Sequence, residues 1–124
     1  MFNIIVIGAE DTEDYEFVKQ KLIVALQAKA KSGEGITIFT TGDSFIDQFT
    51  QRYNIDKYFF QTDWKTYGKN ALKYRNEKIV ENANAVYFFE NNKKDSRMLY
   101  NLAKEKGIPD RYCIPPNIVK VLWR

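Results

Sequence analysis

The sequence predicts an α/β fold: a Rossmann-like open parallel sheet of about five strands, with helices on both faces, in a single domain spanning 1–124. Three observations carry that expectation. Short apolar runs rich in β-branched and aromatic residues alternate with longer segments of helical periodicity. The first run, "FNIIVI", suits a strand covered on both faces. Glycines stand where strands turn into helices, at Gly8 and Gly42.

The elements follow in order. After Gly8, "AEDTEDYEFVKQKLIVALQAKAK" keeps Tyr15, Val18, Leu22 and Leu26 at helical spacing. Asp11 or Thr12 can cap that helix, and Glu13, Asp14 and Glu16 suit its positive end. "SGEG" breaks it and "ITIFT" forms the second strand. In "TGDSFIDQFTQRY", Asp43 is placed to cap a helix whose stripe is Ile46, Phe49 and Tyr53. "KYFFQ" is a short third strand. A third helix runs from about Asn70 to Ala83 and "AVYFF" is the fourth strand. Leu99, Leu102, Ala103 and Lys106 space a fourth helix, ended by Gly107 and Pro109. "RYCI" is a weak fifth strand, stopped by Pro115 and Pro116.

Composition excludes several classes. At 124 residues and 44% apolar content the chain makes one core-bearing domain. A net charge of only +3, with both signs mixed throughout, argues against duplex DNA as a partner. Cys113 is the only cysteine and there is no histidine, which argues against a disulfide, a zinc site or a histidine triad. No metal and no cofactor are expected. The apolar start is too short to span a bilayer and lacks a basic leader, so the expected location is cytoplasmic, with no membrane partner.

Parallel sheets bind ligands beyond the carboxyl ends of their strands, where strand order reverses. That edge collects Gly8 to Glu10, Thr40 to Asp43, Asp63 with Trp64, and Glu90 to Ser96. The stretch "DWKTYGKNALKYRN", read as a loop leading into the third helix, adds rings and cations to it. Trp64 and Tyr67 stand beside Lys65, Lys69 and Arg75, which suits a flat, anionic ligand. Gly8 and Gly42 allow backbone amides close to a phosphate, although neither completes a dinucleotide fingerprint or a P-loop. Asn76 falls on the otherwise apolar stripe of Leu72, Ile79, Val80 and Ala83. A buried amide there must be hydrogen-bonded, either to tie down a loop or to face the crevice with Arg75.

Gly8 with its acidic capping stretch and "DY", then "TGDSFID", "DWKTYGKNA", "RNEKIV" and "S…A…GIP" resemble the SLOG superfamily. This groups Smf/DprA-like and lonely-guy-like Rossmann-type nucleotide binders, and the similarity is to its YspA-like branch. The resemblance runs from about Gly8 to Pro109. It implies a nucleotide crevice and carries ligand-binding roles onto Gly8, Gly42, Asp47, Asp63, Trp64, Gly68, Lys69, Arg75, Asn76 and Ser96; Tyr67 joins them as a candidate stacking ring. The departures are Glu10 in place of an arginine, a reduced glycine-rich turn, and Arg97-Met98 where a Gly-Thr pair is usual. The catalytic glutamate of lonely-guy-like hydrolases has no counterpart.

The leading reading is a binder of a nucleotide or nucleotide-derived small molecule, acting as a sensor or sequestering protein, including in bacterial–phage conflict. The enzymatic alternative is an N-glycosidic or phosphoribosyl hydrolase, with Glu10 as the catalytic carboxylate and Asp43 and Asp63 as further candidates. A third reading is a single-stranded nucleic-acid binding module on the aromatic–basic block. The 117–124 tail carries Ile118, Val119, Val121, Leu122 and Trp123, too apolar for a free end. With the pairing known in the resembling family, it predicts a homodimer or higher homo-oligomer.

Overall fold

The structure, a computed structural model, describes residues 1–117. Strands β1 (Phe2–Ile7), β2 (Ile36–Thr40), β3 (Asp56–Phe59), β4 (Ala85–Phe89) and β5 (Asp110–Cys113) form one sheet in the order β3-β2-β1-β4-β5. Every pairing is parallel, so each strand is joined to the next through helix. The helices are α1 (Tyr15–Lys31), α2 (Ser44–Tyr53), the single turn α3 (Trp64–Tyr67), α4 (Ala71–Glu81) and α5 (Lys94–Glu105). The α/β class and the open parallel sheet are as the sequence predicts.

The central strand explains why both faces are covered. Successive side chains of a strand point to opposite faces. Ile4 and Val6 therefore pack with Val18 and Leu22 of α1 and Ile46 and Phe49 of α2. Ile5 and Ile7 pack on the other side with Ile79 of α4 and Leu99 and Ala103 of α5. Burying each such side chain contributes roughly 1.5–3 kcal/mol, so β1 anchors two cores at once.

Three local expectations are corrected. Helix α1 begins at Tyr15 and is capped by Asp14, whose carboxylate accepts from the Phe17 N–H at 3.1 Å. Asp11 and Thr12 instead lie in a 3-10 turn, Glu10–Thr12, where the Thr12 hydroxyl donates to the Ala9 carbonyl at 2.8 Å. The acidic run offers several caps in series, and the start that seats Val18 and Leu22 in the core wins. The third long helix spans Ala71–Glu81, shorter at both ends than predicted. The segment before it is no open loop: α3 and a 3-10 turn, Gly68–Asn70, fill it with helical turns.

Strand β3 forms one edge, with all four of its residues exposed. Among the described residues no helix is long and apolar enough to cross a membrane. The apolar tail residues Ile118, Val119, Val121, Leu122 and Trp123 lie outside the described residues.

Candidate functional site

The strand order reverses between β1 and β4, since β2 and β3 lie on one side of β1 and β4 and β5 on the other. Parallel sheets open a crevice at such a point. Here a cavity of about 180 Å³ lies beyond the strand ends, lined by Gly8 and Glu10 after β1, Thr40 to Asp43 after β2, Arg75 of α4, and Lys93, Asp95 and Ser96 around the start of α5.

Gly8 brings two of these loops together. Its φ is +81°, and a Cβ added there would stand 2.4 Å from Asn91 Nδ2 and 2.5 Å from the Phe89 carbonyl. Asn91 is buried and shapes the turn after β4: its Nδ2 donates to the Phe89 carbonyl at 3.0 Å and its Oδ1 accepts from the Lys93 N–H at 2.9 Å. The turn in this form presents Lys93, Asp95 and Ser96 to the cavity.

One side of the cavity is acidic, and its carboxylates are occupied. Asp43 Oδ1 accepts from the N–H groups of Phe45 and Ile46 at 3.0 and 3.1 Å, and its Oδ2 accepts from the Glu10 N–H at 3.0 Å. Glu10 Oε2 accepts from the N–H and hydroxyl of Ser44 at 2.8 and 3.0 Å. Two carboxylates thus satisfy the N-terminus of α2. Burial pushes the Asp43 carboxyl up to about 6; its three backbone donors oppose the rise and the charge of Glu10 adds to it.

The other side holds a fixed cation. Arg75 Nη1 donates to the Thr62 hydroxyl at 2.8 Å, while Nε and Nη2 donate to Asn76 Oδ1 at 3.3 and 3.1 Å. Burial lowers the Arg75 pKa and Asp95 raises it, but a guanidinium remains charged at neutral pH. Beside it, α5 starts at Lys94, and its N-cap residue Lys93 makes no side-chain cap, in contrast to Asp43 at α2. Lys93 itself lies 2.7 Å from Asp11 Oδ1, and that bond raises its pKa. Arg97 pairs with Glu90 and does not line the cavity.

Of the residues singled out in the sequence, Gly8, Glu10, Gly42, Asp43, Arg75 and Ser96 line this cavity together. Asp47, Asp63, Trp64, Tyr67, Gly68, Lys69 and Asn76 do not. Asp47 forms an exposed ion pair with Lys57 at 2.6 Å. Asp63 caps α3 by accepting from the Thr66 N–H at 3.0 Å, and the hydrogen bonds of Thr66 hold its pKa low. That cap starts a turn that leaves residues 63–70 exposed, and only Arg75, farther along the chain, reaches back to the cavity. The rings of Tyr67 and Tyr74 meet at 4.4 Å on that surface. Asn76 is 1% exposed, as a buried amide on an apolar stripe demands, and its oxygen serves Arg75. Sequence reasoning missed Thr62 and covered Asn91 only as part of the Glu90 to Ser96 loop; each is a short polar residue just past a strand, a pattern shared by many ordinary turns.

Among the described residues no cluster of three or more histidine, cysteine or acidic side chains could hold a metal ion. The class these features define is a Rossmann-like α/β domain with a polar crevice at its switch point. No protein-family model and no curated protein matches the chain.

Proposed function

We propose that the crevice binds a nucleotide or nucleotide-derived small molecule through a single phosphate, and that the protein acts as a sensor or sequestering protein of the SLOG type in the cytoplasm. The observation that carries this reading is the Arg75 guanidinium, held by Thr62 and Asn76 at the cavity beside the side-chain-uncapped start of α5. A fixed guanidinium and a helix N-terminus together favour a phosphate oxygen.

The balance of charge limits what else enters. Glu10, Asp11, Asp43 and Asp95 line the cavity against two cations, Arg75 and Lys93. A polyphosphate extending toward β2 would meet Glu10 and Asp43, so one phosphate on the Arg75 side is the reading that fits. Sugar hydroxyls, which donate to carboxylates, suit the acidic side.

Native mass spectrometry of the protein purified from cells tests this, followed by a thermal-shift panel of nucleoside monophosphates. A ligand at a hundred times its dissociation constant adds about 2.7 kcal/mol of stability. Absence of both a retained phosphate-bearing molecule and any shift overturns the reading.

The raised pKa of Asp43, beside Glu10, favours a second reading as an N-glycosidic or phosphoribosyl hydrolase. Against it, hydrogen bonds to the start of α2 already engage both carboxylates. Turnover of a nucleoside monophosphate that Glu10→Gln abolishes would decide for the enzyme.

A further inference from the structure

We infer that Phe59 is the stacking platform for a flat ring on the ligand, so that the crevice accommodates a nucleoside monophosphate with its base at the β3 edge of the sheet. This rests on the single-phosphate reading of the cavity.

Phe59 is the last residue of β3, paired in parallel register with Thr40. Thr40, Thr41 and Gly42 line the cavity. Gly42 has a φ of +107°, and a Cβ added there would stand 3.2 Å from Phe59 Cε2 and 3.9 Å from Cζ. The bare Cα of Gly42 therefore lets the edge of the Phe59 ring pack against the cavity wall. The ring is seated by that contact and still 51% exposed. Its neighbour Tyr58 has an evident packing reason, since its ring meets Phe60 at 4.6 Å and Phe39 at 6.2 Å.

The strand spacing suits one nucleoside. Adjacent strands lie about 4.8 Å apart, so the end of β3 is roughly 10 Å across the sheet from the end of β1. A ribose bridging that span faces Glu10 and Thr41, with its phosphate toward Arg75 and its base on Phe59. Phe59, like Trp64 and Tyr67, the rings that the sequence suggests for this role, stands outside the cavity lining itself; it differs in that its ring edge lies against the lining residue Gly42, whereas Tyr67 is already against Tyr74.

The test is calorimetric titration of the full chain, and of its Phe59→Leu, Phe59→Trp and Trp64→Ala variants, with ribose 5-phosphate and with AMP, GMP, CMP and UMP. For the wild type, at least one mononucleotide should bind about tenfold tighter than ribose 5-phosphate, as loss of one base–aromatic stack implies. Phe59→Leu should erase that advantage and leave ribose 5-phosphate binding unchanged; Phe59→Trp should retain it. An advantage that survives in Phe59→Leu overturns the inference, as does one lost only in Trp64→Ala. Equal binding of ribose 5-phosphate and every mononucleotide overturns the base platform and leaves the phosphate reading standing. A chain that binds none of these probes overturns both.

Discussion

Asn76 Oδ1 accepts from two nitrogens of the guanidinium of its own neighbour, Arg75, at 3.3 and 3.1 Å. Adjacent residues on a helix point in different directions, so this bond exists because the long Arg75 side chain folds back over the buried amide. Each group needs the other. Asn76, 1% exposed, obtains a partner for its oxygen, and Arg75 obtains a fixed orientation that the Thr62 hydroxyl completes.

Replacing Asn76 by alanine should therefore act on both stability and binding. Two donors of Arg75 lose their acceptor in a half-buried setting, and the helix loses a filled position. The expected loss is about 1–3 kcal/mol in urea unfolding, with weaker binding of any phosphate-bearing ligand. An unchanged unfolding midpoint would show that water replaces the amide at no cost.

Arg75→Ala should leave the chain folded and weaken phosphate binding about tenfold or more, since a hydrogen bond to a charged group contributes about 1.5–3 kcal/mol. Arg75→Lys should recover only part of it, because an ammonium lacks the planar fork that reaches Thr62 and Asn76 together. Circular dichroism with calorimetric titration separates the two effects; full recovery by lysine would reduce the site to a point charge.

Asp43 makes stability depend on pH in a specific direction. Its folded pKa, about 6, lies above the ordinary carboxyl value of 3.8. The folded state then binds the proton more tightly than the unfolded state across that window. The stabilisation linked to this group is present below about pH 4 and is lost as pH rises through about 6, an effect on the order of 2–3 kcal/mol. Urea midpoints from pH 4 to 7 for the wild type and Asp43→Asn should diverge in that window, the wild type losing stability relative to the variant as pH rises. Parallel curves would place the Asp43 pKa near its ordinary value.

Gly8→Ala should be among the most damaging single changes. It imposes a positive φ on a residue with a side chain and drives a Cβ into Asn91 and the Phe89 carbonyl. Strain of about 1–3 kcal/mol from the backbone alone is expected, with the steric overlap in addition. Gly107→Ala, also at positive φ but with nothing within 4 Å of the added Cβ, isolates the backbone cost. Equal thermal destabilisation by the two substitutions would mean the β4–α5 turn yields freely.

Light scattering on the full chain and on a chain ending at Pro116 tests assembly. A homodimer is expected for the full chain. A monomer for both refutes it, while a dimer for both moves the interface away from the apolar tail.

By itself the sequence determined the class of fold, the two-faced central strand and the Asp43 cap, because each depends on short-range patterns. Period-two burial of Ile4 to Ile7 and an aspartate ahead of Phe45 and Ile46 are local signals that packing did not overrule. It also marked Gly8, Gly42, Arg75 and the buried Asn76. Only the tertiary structure decided which of the marked residues meet. Trp64 and Lys69 precede Arg75 by eleven and six positions, yet the cap at Asp63 makes a helical turn that leaves them exposed, while Arg75 lines the cavity and donates to the Thr62 hydroxyl. Glu10 reads as a free carboxylate in sequence, but its bonds to Ser44 join positions 34 residues apart. Phe59 reads as one more strand aromatic until Gly42, on the neighbouring β2–α2 turn, comes against its ring. Such pairings depend on strand order and loop path, which are set by how the whole chain closes its two cores.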